Sequence, residues 1–443
     1  MREPRNTQNT RKNGEVESGG VWSGGVDFHT ETLRHGDEWF GDVPEKWVVK
    51  RLASYFSERK VKVSDKVFSP LSVTKNGVLP QLENVAKSDD GDNRKLVRKG
   101  DFVINSRSDR KGSSGVSNYD GSVSLINLVL QPRGDLFGSY CNYLLKSLSF
   151  VEENYRNGRG IVADLWTTRY DEMKMIKVAM PPLSEQKAIV KYLDAETGRI
   201  DRAIAAEEKM IALLQERREI VINEAVGGQC GSEGVGSGGV DFNTEARCAR
   251  DEVVGLPELS EPEGPQGAAR RRGWEVRKVK QCAIIEHGSN PKIDGDVPVY
   301  GSGAESFKTC GEFKEGPSVL LGRKGTVNIP RYVEGRFWNV DTAFNVCTRK
   351  NMLLRFFYYC ATRFDYDRYV SQTAIPSMTQ RDYENMPISL PPLSEQEEIV
   401  KYLDAETGKI DRAIEVKRRQ IELLRERRQI VIDEVVTGKV RVA

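Results

Sequence analysis

The sequence predicts an α+β protein in which two mixed α/β domains are joined by two long coiled-coil helices in a pseudo-two-fold arrangement. Three observations predict it. A segment occurs twice, at 181–226 and 391–436, with 32 of 46 positions identical. The stretches that precede the two copies hardly resemble each other. Their lead-ins are duplicated as well: SGGVDFHTE at Ser23–Glu31 returns as SGGVDFNTE at Ser237–Glu245, and Trp47 in EKWVVKRL has its counterpart in Trp274 of RRGWEVRKV. Near-identical connectors carrying divergent domains suit a scaffold that holds two different readers of an asymmetric, two-part target.

This order gives the domain boundaries. A flexible Gly-rich lead covers 1–36, a first variable domain 37–180 and a first repeat 181–228. A Gly-, Glu- and Pro-rich linker covers 229–272, a second variable domain 273–390 and the second repeat 391–443.

Each repeat reads as one long helix. Pro181-Pro182 and Pro391-Pro392 cannot lie inside a helix and set its upstream limit. Ser184 and Ser394 stand where an N-cap is expected, Glu185 and Glu395 place negative charge in the first turn, and Ser394 with Glu397 forms a capping box. The apolar series Val190, Leu193, Ile200, Ile204, Ile211, Leu214, Val221 steps by threes, fours and sevens. Val400, Leu403, Ile410, Ile414, Ile421, Leu424, Val431 repeat it. Thr197, Glu207 and Arg218 are polar gaps in this seam, and Gly198 and Gly408 mark positions where a bend is expected. A helix of this length spans roughly 60 Å and cannot bury its own stripe, so the two helices are expected to pack on each other.

The variable segments read as mixed α/β. Lys99–Asn105 (KGDFVIN) and Ser318–Gly322 (SVLLG) have the apolar runs of buried strands, and Phe337–Val346 alternates as one strand. Gly-rich turns fall at Lys111–Gly115, Tyr300–Gly303 and Gly322–Gly325, and helical stretches at Leu136–Glu153 and Met352–Arg368. Trp47 and Trp274 read as core anchors at a domain edge, and Tyr192 and Tyr402 as packing residues on the helices.

Bulk properties exclude more than they assign. Mean hydropathy of -0.53 and the lack of a long apolar run leave nothing to span a membrane, and the polar N-terminal segment lacks the apolar stretch of a signal peptide. Seven scattered cysteines without a CxxC pair fit reduced thiols in a cytoplasm. A net charge of +2 neither demands nor excludes nucleic acid. Catalytic signatures are missing: no phosphate loop, no HExxH, no metal-spaced Cys/His cluster, and none of the [DNS]PP[YFW] tetrapeptides of amino-methyltransferases. The three histidines, His29, His35 and His287, are too few and too scattered for a triad or zinc site. No metal and no cofactor is therefore expected on this chain.

Loops of the variable segments carry the residue types that contact DNA. In the first, Asn105, Arg107, Arg110 and Lys111 cluster in one loop and Arg156 and Arg159 in another. In the second, Tyr300, Arg323, Lys324, Thr326, Asn339, Thr342, Gln372 and Gln380 have the same character. Arginine can bridge guanine O6 and N7, Asn and Gln can bridge adenine N6 and N7, and glycine lets the backbone approach closely. A single such loop reads most simply as solvated surface. Two in equivalent places of two repeated halves put a binding role on equal terms with solvated surface.

These residues together resemble the specificity subunit of type I restriction–modification systems. EWFGDVPEKW at Glu38–Trp47 is similar to that family's lead into a target recognition domain. PPLSEQ followed by IVKYLD and a heptad helix is similar to its conserved spacer. KGDFVIN, LLGRKGT, FWNVDTAF and AIPSMT are similar to internal motifs of its recognition domains. The resemblance covers about 37–443. The second lead, with RRGWEV only, departs from it, and the SGGVDF elements have no counterpart.

The resemblance implies a non-catalytic chain whose two recognition domains each read half of a split DNA sequence. The two helices would pair antiparallel and set the half-site spacing. Leu193, Ile200, Ile204, Ile211, Leu214, Leu403, Ile410, Ile414, Ile421 and Leu424 would supply the coiled coil and the docking surface for two methyltransferase subunits. Those subunits would hold S-adenosylmethionine and methylate adenine N6, and two translocase–endonuclease subunits would join to cut double-stranded DNA. The competing reading is a coiled-coil protein–protein adaptor without DNA specificity, which the repeats alone allow and the basic Gly loops disfavour.

Overall fold

The computed structural model describes residues 33–34, 38–81, 91–134, 136–160, 166–227, 274–303, 305–371 and 375–442. The 229–272 linker, most of the 1–36 lead, His29, His35, Cys230, Cys248 and Gln372 lie outside the described residues. The chain forms two compact units, Met1–Ala205 with Ile421–Ala443, and Ala206–Gln420. The unit boundaries therefore fall inside the long helices, so each unit owns one variable domain, the first half of one repeat and the second half of the other.

In the first unit, β1 (Val48–Arg51), β2 (Phe56–Glu58), β3 (Leu71–Thr74), β4 (Gly77–Pro80), β5 (Phe102–Asn105), β6 (Ser114–Val116) and β7 (Asn127–Pro132) precede α1 (Gly138–Lys146), α2 (Leu148–Arg156) and α3 (Tyr170–Met173). β8 (Lys177–Met180) then leads into α4 (Leu183–Val226). The central sheet is antiparallel in the order β2–β7–β5–β6. The unbroken apolar run of β5 follows from burial on both faces. Phe102 and Ile104 pack into the cluster of Tyr140, Leu144 and Phe150, while Val103 points the other way to Leu71, Val78, Val97 and Val123. The stretch expected as one helix over Leu136–Glu153 is two, because Ser147 leaves the helical path and caps α2 by accepting from Phe150 N.

The second unit contains β9 (Glu275–Lys278), β10 (Ala283–His287), β11 (Val297–Tyr300), β12 (Ser318–Gly322), β13 (Arg331–Val333), β14 (Arg336–Asn339) and β15 (Ala343–Thr348). α5 (Leu354–Ala361), α6 (Gln380–Asn385) and β16 (Pro387–Leu390) follow and lead into α7 (Leu393–Val436). Its antiparallel sheet β10–β15–β12–β13 has the connectivity of the first unit's sheet. Here too the apolar run alternates between two clusters: Val319 and Leu321 meet Phe344 and Phe356, and Leu320 meets Val333 and Phe337. The segment expected as one strand over Phe337–Val346 is two. Ala343 N–H donates to Val340 O at 3.0 Å, and the turn sends β14 into a second sheet beside β11. The helical stretch expected to reach Arg368 stops at Ala361.

Both long helices run unbroken for 44 residues, through Gly198 and Gly408. They start one residue before the expected serine caps. Pro182 O and Pro392 O accept from Gln186 N and Gln396 N, so a proline holds the capping position and Ser184 and Ser394 lie inside the first turn. The glutamine of PPLSEQ does the anchoring instead. Buried Gln186 donates to Pro181 O and accepts from Phe137 N at the head of α1. Buried Gln396 donates to Asn351 O and Pro391 O and accepts from Leu353 N at the head of α5.

In each unit the helix segments pair antiparallel. In the first, Ile189, Val190 and Leu193 pack with Ile432, Val435 and Val436, and Asp201 meets Arg428 at 3.0 Å. In the second, Leu214, Ile410 and Ile414 form a cluster with Ile211, Arg218 meets Asp411 at 3.0 Å, and Glu207 meets Lys417 at 3.0 Å. The polar gaps of the seam are thus its ion pairs, apart from Thr197 and Thr407, whose hydroxyls donate to Leu193 O and Leu403 O. Among the described residues no helix is long and apolar enough to cross a membrane.

Candidate nucleic-acid interface

Each unit ties its basic loops together with the same three-segment backbone clasp. In the first, the chain leaving β5 runs past the segment that leads into α3: Thr168 N–H donates to Ser106 O at 3.0 Å, and Arg107 forms a β-bridge with Thr167. Thr167 is bridged on its other side to Arg159, with reciprocal N–H···O bonds of 2.9 and 3.0 Å. In the second, the chain leaving β12 does the same. Met378 N–H donates to Arg323 O at 2.9 Å, Lys324 is bridged to Ser377, and Ser377 to Ser371. In each unit the residue leaving the central strand is thereby fixed beside two bridged residues that lie close together much later in the chain, although the sequences differ.

Close packing sets the clasp. Gly158 lies under Trp166, where a Cβ would come within 2.4 Å of the indole nitrogen, and that nitrogen donates to Tyr155 O at 2.7 Å. Gly322 passes Thr326 so closely that a Cβ would stand 2.1 Å from its carbonyl oxygen. Tyr383, buried under the second clasp, donates to Gly322 O at 2.6 Å and lies 3.0 Å from Val327 O.

The clasp gathers most of the residues that the sequence singles out. In the first unit Asn105 ends β5 and its side chain accepts from Arg107 N at 3.0 Å. Arg107 and Arg159 project as exposed side chains from the bridged positions, and Arg159 faces Glu172 at 3.4 Å. Arg110 is exposed beside Asp109, and Arg156 beside Glu153. Lys111 is held inward, 2.6 Å from Glu152 and over the Tyr155 ring at 4.4 Å. In the second unit Arg323 is half-buried against Asp341, Lys324 is exposed, and Thr326 and Thr342 are half-buried, with Thr342 O accepting from Arg323 N at 2.7 Å. Tyr300 stacks under Arg331, whose guanidinium donates to Gly303 O, and Gln380 opens α6 and donates to Glu384.

Asn339 is placed differently from the expectation. It is fully buried, donates to Ala343 O at 2.8 Å and accepts from Lys314 at 2.8 Å, so it lies in the interior rather than on a reading loop. Burial draws the Lys314 ammonium below its ordinary pKa, against the pull of Glu286. The coiled-coil residues are likewise interior. Leu193, Ile200, Leu214, Leu403, Ile410, Ile414 and Ile421 are buried, with Ile204, Ile211 and Leu424 half-buried. The exposed apolar face of the helices is a different stripe: Leu213 and Ile220 in the second unit, Leu423 and Ile430 in the first, each 45–49% exposed.

Each variable domain is also wired to the repeat that follows it. Tyr143 donates to Asp194 at 2.7 Å in the first unit, and Tyr359 to Asp404 in the second. Burial first and the Asp404 carboxylate second push the Tyr359 phenol up to about 12, so it stays a donor. Trp47, buried as expected of a core anchor, donates to Glu185 at 2.9 Å, and Trp39 to Lys177 O. Trp274 is half-buried and meets Phe356 edge to face.

Sequence reading did not single out Thr167 or Ser377, the middle residues of the two clasps, although Ser377 lies in the AIPSMT motif. A signal was present: Thr168 and Met378 stand 13 residues before Pro181 and Pro391, the first prolines of the repeats.

The type I restriction modification DNA specificity domain family matches residues 271–424. A type I restriction enzyme specificity subunit of Haemophilus influenzae is 28% identical over 138 residues, which cover 30% of this chain and 36% of that protein. The MjaX type I restriction enzyme specificity subunit of Methanocaldococcus jannaschii is 24% identical over 451 aligned residues, 91% of this chain and 95% of that one. A solved chain from a study of complex assembly and conformational transition in a type I restriction–modification system shares the fold. Its TM-score is 0.64 at 15% identity, over 89% of this chain and 99% of that one.

Proposed function

We propose that this chain is a type I restriction–modification specificity subunit, as its similarity to that family supports, and that each unit reads one half of a bipartite, asymmetric DNA site. The observation that carries this reading is the repeated clasp. One backbone frame presents Arg107 and Arg159 in the first unit and Lys324 and Ser371 in the second. A shared frame with different side chains suits two readers that approach the duplex alike and recognise different bases.

The rest of the assignment rests on this reading. This chain is non-catalytic. Methyltransferase subunits dock on the helices, and the pairs Leu213/Ile220 and Leu423/Ile430 support two equivalent sites, because the same exposed residues recur seven apart in both copies. S-adenosylmethionine is held by those subunits, which methylate adenine N6. Translocase–endonuclease subunits, two in number, complete the restriction complex. A net charge of only +2 suits a chain whose partners supply part of the phosphate contacts.

The paired helices set the half-site spacing, which gives the test. One heptad inserted at equivalent points of both repeats adds about 10 Å, or roughly three base pairs. The complex should keep both half-sequences and change the gap between them, or lose its site. An unchanged site and gap would count against the reading.

A further inference from the structure

Arg107 and Lys324 occupy the same rung of the two clasps. Each follows the residue whose carbonyl accepts from the α3 or α6 lead, and each is bridged to the middle residue of its clasp, Thr167 or Ser377. They also share an electrostatic property. Five other basic residues of these loops each face a carboxylate: Arg110 has Asp109, Lys111 has Glu152, Arg156 has Glu153, Arg159 has Glu172 and Arg323 has Asp341. Arg107 and Lys324 have none within 4.0 Å among the described residues, and both are exposed. Their backbones are fixed while their charges are left for an outside partner. Two unrelated loop sequences arrive at the same exposed, unpaired cation at the same backbone position.

We propose that Arg107 and Lys324 are the specificity-determining residues of the two half-sites, each donating to O6 and N7 of a guanine in the major groove. The proposal rests on the reading of this chain as a DNA specificity subunit and names the base that each unit requires. The planar fork of Arg107 matches the O6/N7 pair in two parallel bonds, whereas the Lys324 ammonium is a point donor. The first unit is therefore the more stringent at its guanine. Arg159 and Arg323, already facing carboxylates, are secondary.

The test uses the full chain assembled with its methyltransferase subunits, and duplexes carrying every single base-pair change in the methylated site. Arg107→Ala should relax discrimination at one G·C pair of one half-site by about 5- to 150-fold and leave the other half-site unchanged. Arg107→Lys should keep part of it, and Lys324→Ala should relax one G·C pair in the other half. Lys60→Ala, an exposed cation outside the clasp, serves as the control, and melting temperatures confirm that the variants fold. Uniform weakening on all sequences, with the salt slope reduced by about 1, would mean phosphate contacts and overturn the proposal. A site lacking a G·C pair in either half would overturn it too. Discrimination that stays at the wild-type level at every G·C pair in both alanine variants overturns the proposal alone. A wild-type complex without any preference overturns the underlying reading as well.

Discussion

The two units differ most where they are most alike in plan. Both build a four-stranded antiparallel sheet of the same connectivity, both close a clasp on the strand that leaves its centre, and both lock a buried glutamine onto the head of a helix. Their side chains, outside the repeats, are largely different. The second unit adds a sheet around β11 and β14, while the first adds the β3–β4 hairpin and a three-stranded sheet of Lys62–Val63, Arg94–Val97 and Gly121–Val123. What is held constant is therefore backbone hydrogen bonding and the attachment to the helices. What varies is the surface of the loops, as expected if the frame positions and the loops discriminate.

That comparison can be broken at its anchors. The largest effect is expected from the glutamines. Gln396→Ala leaves one buried N–H and two carbonyls without their partner and should cost about 3 kcal/mol, whereas Gln186→Ala removes two such bonds and should cost about 2 kcal/mol. Denaturant midpoints of the two variants measure the difference, and equal costs would mean that the extra bond to Asn351 contributes nothing.

The tyrosine anchors come next. Tyr359→Phe should cost about 1.5 kcal/mol, and Tyr143→Phe, half-buried, about 0.5 kcal/mol. The first has a pH signature. The Tyr359 phenol is raised from 10.0 to about 12, so its contribution is complete below pH 10 and is lost as pH climbs towards 12. Alkaline melting curves should show a steeper loss for the wild type than for Tyr359→Phe.

The clasp itself is sharpened by Trp166→Phe, which removes the bond to Tyr155 O at a cost of about 1 kcal/mol. Binding assays on duplexes with either half-site altered should show weaker reading of one half only. The smallest effect belongs to the ion pairs of the seam. Arg218→Ala and Arg428→Ala each break one partly exposed pair and should each cost under about 1 kcal/mol, equally within error, in thermal melts.

Much of this plan was legible in the sequence, for physical reasons. The repeats declared themselves by identity, and the seam by its spacing, because a long helix can hide a stripe only against another helix. Phe102–Asn105 and Ser318–Gly322 read as strands because both faces are covered. The failures share a cause. Asn339 has the residue type of a base contact, but the turn at Val340 leaves it buried, facing a lysine 25 residues earlier. Ser184 matched a cap by type, yet the proline before Leu183 already supplied the capping carbonyl. Thr167 and Ser377 matter through backbone bridges to residues about 50–60 positions away, which hydropathy periodicity does not encode and only their shared spacing before the repeats marks. Of the candidate site, the basic loops were legible and the frame that joins them was not.

The most direct measurement is the methylome of a host with and without this gene. Loss of one split adenine-methylation motif on deletion, with two unlike half-sequences, is the predicted result. A methylome unchanged by the deletion would contradict the account.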